Sequence, residues 1–234
     1  MATETGMTHT ERSWEMESSG PATLREVMER LDAQVASGDV QHLWPLPTGF
    51  RPLDDVLSGG LRAGELMLVG GRQGVGKTIF ALQVARNVVW SDEGAAALYI
   101  CYEHDRAHLL SRLLCLESVE QACRVPLTLK TLDKMALGSK DGRGLVTKLR
   151  EAPGYRPVVE AAESYAERLV LVRASGDHST MARVREWVAQ LASRNQERLL
   201  VVIDYLQKVP VDASRLQPET EVTTHLTHGL KNLA

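Results

Sequence analysis

The residues with the clearest chemistry lie at positions 71–78, which read Gly-Arg-Gln-Gly-Val-Gly-Lys-Thr and match the phosphate-binding pattern G-x-x-x-x-G-K-S/T without a gap. Its glycines let backbone N–H groups turn toward one anion, and a helix that starts after them presents its positive end to the same anion. Lys77 adds a charge for the outer phosphates, and the Thr78 hydroxyl can ligate Mg²⁺. The predicted phosphate-binding residues are Gly71, Arg72, Gln73, Gly74, Val75, Gly76, Lys77 and Thr78.

A loop with several N–H donors, a lysine and a metal ligand offers more charge-assisted hydrogen bonds than a sulfate-sized anion can use, so we expect a triphosphate. Such a loop needs a strand before it and a helix after it. The apolar run 65–69 predicts the strand, and the amphipathic run 79–89 predicts the helix.

Two acids further along the chain follow apolar runs. Asp204 comes directly after residues 199–203, in the arrangement of a Walker B motif, where the carboxylate holds Mg²⁺. Glu103 comes shortly after the apolar run 96–101. Because ligands gather at the carboxyl ends of parallel strands, both acids are expected near the bound nucleotide.

The composition is that of an ordinary globular protein, with 234 residues, 44% hydrophobic and 24% charged. A net charge of −3 excludes a general attraction to nucleic acid, so any such contact requires a local basic patch. An odd number of cysteines without a C-x-x-C pair predicts a reducing compartment. With neither a membrane-length apolar run nor a signal-like N-terminus, the sequence predicts a cytoplasmic protein without a membrane partner.

The chain divides into three predicted parts. Residues 1–20 are polar and read as a flexible tail, and a capping box at Thr23 opens a helix within residues 21–38. Residues 39–234 hold the predicted core, in which apolar strands alternate with helices, as in a mostly parallel, doubly wound α/β sheet. A proline-containing segment after the helix suggests that it packs away from its own core, although folding back onto the core stays open.

Residues 118–165 are the hardest part to interpret. They contain glycine and proline breaks and many scattered bases, with acids among them. A basic surface for nucleic acid or a partner is one interpretation, and an ordinary solvated helical insertion is the other.

The segment before the loop carries Thr-Gly-Phe at 48–50, Leu-Asp at 53–54 and Gly-Gly-Leu at 59–61, and residues 203–207 read Ile-Asp-Tyr-Leu-Gln. Together with the phosphate loop, these sequence segments resemble the C-terminal ATPase domain of DnaB-type replicative DNA helicases. The resemblance covers about residues 21–234 and is weakest over 118–165. The resemblance implies a RecA-like P-loop NTPase fold with an N-terminal linker helix. It also implies a fold that is incomplete at the C-terminus, because the family continues with a further strand, DNA-facing loops and an arginine finger.

The same resemblance implies roles for individual residues. Glu103 matches the family's catalytic glutamate, which orients and deprotonates the attacking water, while Lys77 neutralises charge on the β and γ phosphates. Thr78 and Asp204 would hold Mg²⁺, with ATP as the nucleotide. The helix within 21–38 would pack on a neighbouring subunit of a hexameric ring, and the full-length family context implies single-stranded DNA as a partner. We do not expect this polypeptide alone to separate DNA strands.

Three alternatives stay open at this point. The chain could be a nucleotide-binding assembly module without productive turnover, or another RecA-like ATPase of the recombination or circadian-clock type. His104 and His108, four residues apart on one predicted helix, could face a metal ion, but the sequence offers no third ligand nearby. The leucine stripe on the same helix is better explained as part of the core.

Overall fold

The computed structural model describes residues 20–38, 40, 43–138, 142–176, 178–193, 198–211 and 219–234. The predicted tail therefore lies outside the described residues except for Gly20. The chain separates into two compact units, residues 1–41 and 42–234. No helix among the described residues is long and apolar enough to cross a membrane.

The secondary structure alternates helices with strands along the second unit. The helices are α1 (Leu24–Ser37), α2 (Arg51–Val56), α3 (Lys77–Ser91), α4 (Arg106–Glu120), α5 (Leu129–Leu137), α6 (Leu145–Glu151), α7 (Arg156–Ser164), α8 (Met181–Ala192) and α9 (Glu219–Lys231). The strands are β1 (Ala95–Cys101), β2 (Leu169–Arg173) and β3 (Arg198–Asp204), and a short 3₁₀ turn, Leu206–Lys208, follows β3.

Helix α1 forms the described part of the first unit. The Thr23 hydroxyl accepts from the backbone N–H of Glu26, and the Glu26 carboxylate accepts from the backbone N–H of Thr23, so the predicted capping box is present. Gly38 ends the helix in the left-handed conformation, with φ of 78°. None of the residues of α1 is buried, which leaves its apolar stripe in solvent.

The three strands form one parallel sheet in the order β2–β1–β3. All seven residues of β1 are buried, because this central strand has neighbours on both edges and helices on both faces. Leu82 and Leu109, from α3 and α4, join Tyr99 in the core of one face. Val184 of α8 joins Leu98 in the core of the other. The predicted α/β fold with a parallel sheet between helices is confirmed.

The strand predicted at 65–69 is wrong. These residues have no regular secondary structure, and the side chains of Leu68 and Val69 are 65% and 44% exposed. A strand exists only by hydrogen bonding to a neighbour. Within the described residues, β3 pairs with β1 on one edge and with no strand on the other. The apolar segment thus has the composition of a strand but no described partner.

The described residues between 118 and 165 form helices whose core also includes Leu114 of α4. From the end of α4 to α7 they surround a buried cluster that includes Leu132, Leu149 and Val158. Bases on their surface pair with acids, as Arg150 does with Glu163. These pairs fit the interpretation of this region as a solvated helical insertion.

Candidate functional site: a phosphate loop beside a buried carboxylate

The phosphate loop occupies the turn between the irregular segment 65–70 and α3. Gly74 and Gly76 have φ of 80° and 100°, values that side chains other than glycine rarely adopt. A Cβ on either residue would meet no atom within 4 Å, so backbone conformation, not crowding, requires glycine there. Gly76 caps α3 without a side-chain hydrogen bond, which leaves the first N–H groups of a 15-residue helix available to an anion.

Lys77 and Thr78, the first two residues of α3, lie directly after the loop. The Lys77 ammonium group donates to the backbone oxygens of Gly71 and Arg72, both at 2.9 Å. Its charge is thus held over the loop by two neutral acceptors, which are weaker partners than the phosphate oxygens of a nucleotide. The loop residues 71–76 themselves are exposed to solvent.

Asp204 ends β3, and its side chain is nearly buried, with 6% of the residue exposed. The hydroxyl of Tyr99 lies 3.0 Å from Asp204 Oδ2 and 3.2 Å from the backbone oxygen of Thr78. The thiol of Cys101 also donates to Oδ2, with a sulfur–oxygen distance of 3.7 Å. The structure therefore brings together two of the predicted site residues, Thr78 and Asp204, through one buried tyrosine.

Burial is the main reason that the pKa values of Tyr99 and Cys101 are raised, and the negative charge of Asp204 raises both further. Both groups therefore keep their protons at neutral pH and donate to the carboxylate. The other carboxylate oxygen, Oδ1, accepts no hydrogen bond from the described residues.

A Thr hydroxyl and a carboxylate fit the requirements of Mg²⁺, which binds one or two protein oxygens and takes its other ligands from phosphates and water. Asp204 Oδ1 accepts no hydrogen bond from the part of the chain that the structure describes, and the backbone oxygen of Thr78 lies against the same tyrosine. Clusters of three or more His, Cys, Asp or Glu side chains that could hold a metal do not occur among the described residues. This donor set therefore suits a metal that arrives with a nucleotide better than one held by protein alone.

Glu103 lies in the bend between β1 and α4 and is exposed. In the β1–β3 register Cys101 is opposite Asp204, and the N–H of Tyr102 donates to the Asp204 backbone oxygen at 2.8 Å. Glu103 is thus two residues beyond the partner of Asp204. It lies at the same carboxyl edge of the sheet as that metal-ligand candidate, where an acid that orients water would be needed.

His104 lies in the bend before α4 and not on the predicted helix, and its ring stacks on that of His108 of α4 with centroids 4.5 Å apart. Arg112 donates to His108 Nε2 at 2.8 Å, so this nitrogen already has a proton donor and is not free to bind a metal. Burial lowers the pKa of His108, and the positive Arg112 lowers it further. These contacts describe a neutral, hydrogen-bonded histidine.

The segment 48–54, which carries Thr-Gly-Phe and Leu-Asp, is held by internal hydrogen bonds and contacts α3 through two of its side chains. Asp54 accepts from the N–H and hydroxyl of Thr48 at 2.8 and 2.7 Å, and from the N–H of Gly49 at 3.0 Å. The Asn87 side chain on α3 donates to the Thr48 backbone oxygen at 2.9 Å. Phe50 packs on Phe80 of α3 with ring centroids 5.0 Å apart. These contacts set the position of the helix that begins with Lys77.

Sequence reasoning did not identify Tyr99 as part of the site. A signal was present, because a single tyrosine stands in an otherwise small and aliphatic strand, two residues before Cys101. A buried tyrosine hydroxyl usually finds a partner, and alternation along the strand puts it on the same face as Cys101. What the sequence alone could not supply is the β1–β3 register that sets Asp204 beside it.

Comparison with known proteins identifies the family. Residues 45–234 match the family model described as DnaB-like helicase C terminal domain. The replicative DNA helicase DnaB of Geobacillus stearothermophilus is 27% identical over 191 residues, covering 81% of this chain and 36% of that protein. The DNA repair protein RadA of Mycobacterium tuberculosis (strain CDC 1551 / Oshkosh) is 34% identical over 90 residues, which cover 37% of this chain and 18% of that protein.

A solved DnaB-like replicative helicase, described together with its interactions with primase, superposes with a TM-score of 0.62 at 20% identity, over 94% of this chain and 48% of that chain. At this identity the match supports the fold. The chain spans about a third or less of the length of the curated relatives above. Since the family model matches most of the sequence, this chain belongs to the DnaB-like helicase C-terminal domain family.

Proposed function

We propose that this chain binds ATP with Mg²⁺ and hydrolyses it, as the motor domain of a DnaB-type replicative helicase that couples hydrolysis to DNA unwinding in the cytoplasm. The observation that carries the proposal is the convergence of Thr78 and Asp204 on the Tyr99 hydroxyl, at the end of the phosphate loop. A carboxylate that ends a strand beside the phosphate loop, as in a Walker B motif, distinguishes a nucleotide site from a chance glycine-rich turn.

In this proposal the N–H groups of residues 71–76 and the start of α3 bind the β and γ phosphates. Lys77 leaves the backbone oxygens of Gly71 and Arg72 and turns to the phosphate oxygens, which are stronger acceptors. Thr78 and Asp204 would hold Mg²⁺, which supplies positive charge against the phosphates. Glu103 accepts a proton from the water that attacks the γ phosphate in line.

The test is ATP binding and hydrolysis by the purified chain, alone and with single-stranded DNA. We expect Lys77→Ala to lose nucleotide affinity, and Glu103→Gln to bind ATP with near wild-type affinity but to hydrolyse it at least about 100-fold more slowly, as for loss of a general base. Phosphate release by Glu103→Gln at the wild-type rate would contradict the role of Glu103. ATP binding without any phosphate release by the wild-type chain would instead favour a nucleotide-binding assembly module.

We further propose assembly into a hexameric ring through residues 21–38. The apolar stripe of α1 is exposed, with Leu24 at 76% and Met28 at 59%, and a capped helix with such a stripe is suited to packing on another subunit. Single-stranded DNA is the proposed partner of the assembled ring.

The similarity to the DNA repair protein RadA supports a second candidate, a RecA-like ATPase of the recombination type. The phosphate loop, Glu103 and Asp204 serve both functions equally. A ring that hydrolyses ATP but does not move along single-stranded DNA in a strand-displacement assay would select this second candidate.

A further inference from the structure

Tyr99 lies at the centre of the candidate site but has no place in the proposed chemistry. Its side chain is completely buried in the core between β1 and α3. From there its hydroxyl reaches the backbone of the residue that ends the phosphate-loop motif and the carboxylate that ends β3. It is thus a single group in contact with three elements, α3, β1 and β3.

Both side-chain hydrogen bonds that the Asp204 carboxylate accepts from the described residues end on the same oxygen, Oδ2. Tyr99 and Cys101, which share a face of β1, both donate to Oδ2. The Oδ1 atom accepts no bond from the described residues. Two donors on one oxygen fix the rotation of the carboxylate, so that the other oxygen stays available in a defined direction.

We infer that Tyr99 is a positioning residue for the Mg²⁺ ligands: its hydroxyl lies between the Thr78 backbone oxygen and Asp204 Oδ2 and donates its one proton to the closer Oδ2, which orients the carboxylate that would hold Mg²⁺ together with Thr78. The inference rests on the proposed nucleotide site and deepens it. Groups that orient metal ligands in this way typically change metal affinity or activity by about 10- to 100-fold when removed.

A purely structural role is the competing explanation, since a buried tyrosine needs a hydrogen-bond partner wherever it lies. The chain contains a matched control for that explanation. The hydroxyl of Tyr165 also donates to a buried carboxylate, Glu117 Oε1, at 2.8 Å, and that carboxylate pairs with Arg86 and is not one of the proposed ligands. Tyr99→Phe and Tyr165→Phe therefore remove the same group from the same kind of partner, and only the first removes it from the site.

The experiment measures binding of a fluorescent, non-hydrolysable ATP analogue as a function of Mg²⁺ concentration, together with Tm, for the wild-type chain and both variants. We expect Tyr99→Phe to need about tenfold more Mg²⁺ for half-maximal binding, with little change in binding when Mg²⁺ is absent. Tyr165→Phe should lower Tm but leave the Mg²⁺ dependence unchanged. Cys101→Ala, which removes the second donor to Oδ2, should shift the Mg²⁺ dependence in the same direction by a smaller factor.

A wild-type Mg²⁺ dependence in Tyr99→Phe, or equal shifts in the two tyrosine variants, would overturn the inference while leaving the nucleotide site intact. If Tyr99→Phe does not fold, the Cys101→Ala titration decides in its place, and an unchanged Mg²⁺ dependence there overturns the inference. A wild-type chain that does not bind the analogue at any Mg²⁺ concentration would instead overturn the proposed function, and the inference with it.

Discussion

Arg86 of α3 and Glu117 of α4 form a buried two-point ion pair, in which Arg86 Nε lies 2.6 Å from Glu117 Oε1 and Nη2 lies 2.8 Å from Oε2. The guanidinium also stacks over Trp90 at 4.6 Å from the ring centroid. Glu117 receives a third bond, from Tyr165. The pair therefore joins the helix that starts at the phosphate loop to the helix that follows Glu103.

Removing one member of this pair should be costly because it leaves the other charge buried without a partner. We expect Arg86→Met to lower the free energy of unfolding by about 3–5 kcal/mol, the usual cost of breaking a buried ion pair. Denaturant unfolding monitored by circular dichroism measures this change.

The matched variant is the triple substitution Arg86→Met, Glu117→Leu and Tyr165→Phe, which removes both charges and the hydroxyl together. Because replacement of a whole buried polar cluster by apolar groups of similar volume is often neutral, we expect it to recover most of the lost stability. A triple variant as unstable as Arg86→Met alone would contradict the view that an unpaired charge is the cause.

Gly60 and Gly64 offer a test of the turn that brings the chain to the phosphate loop. Both have positive φ, 134° and 77°, but a Cβ on Gly60 would lie 2.1 Å from the Leu46 backbone oxygen, whereas one on Gly64 would meet nothing within 4 Å. Gly64→Ala should cost about 1–2 kcal/mol, from the left-handed backbone alone. Gly60→Ala should cost clearly more, because Leu46 and Leu61 pair through their backbones at this point.

Thermal unfolding of the two alanine variants checks this difference in stability. Equal losses of Tm would show that the segment around Leu46 can move aside, in contradiction of a close backbone packing.

Local patterns predict much of the candidate site, because the sequence of the loop itself identifies Lys77 and Thr78 and the apolar run before Asp204 identifies that acid. The contacts of Tyr99 with Asp204 and of Arg86 with Glu117 depend on the register of β1 against β3 and on how α3 packs on α4, and neither can be read from spacing along the chain. The strand predicted at 65–69 failed for the same reason, since composition favours a strand but only a neighbouring strand can make one. The apolar runs 96–101 and 199–203 form β1 and β3, which pair with each other.

The lowered pKa of His108 predicts that the stability of the folded chain depends on pH. Burial, then Arg112 and His104, lowers its pKa below the ordinary value of 6.5, so the folded chain binds fewer protons than the unfolded chain in the range just below pH 6.5. Stability therefore falls as the pH falls from 6.5 toward the folded pKa, and this contribution is constant above 6.5.

We expect the free energy of unfolding, measured at pH 7.5 and pH 5.5, to decrease less in His108→Gln than in the wild-type chain. The His178→Gln variant serves as a comparison, because it removes a histidine that is exposed on the surface. A His108→Gln variant whose pH dependence equals that of the wild type would show that His108 does not contribute.

The apolar stripe of α1 should control assembly without affecting nucleotide binding. Leu31 is 46% exposed in the middle of α1, and Val35 is 58% exposed one turn later. A charged side chain at Leu31 keeps good helix propensity but cannot enter an apolar interface, so we expect Leu31→Glu to abolish ring formation.

A substitution on the polar side of the helix, Arg30→Gln, provides the control. Light scattering after size exclusion, with ATP analogue and Mg²⁺ present, measures the mass of each variant. Rings of the same size in Leu31→Glu and the wild type would contradict the proposed role of α1, and a loss of ATP-analogue affinity in Leu31→Glu would contradict an effect limited to assembly.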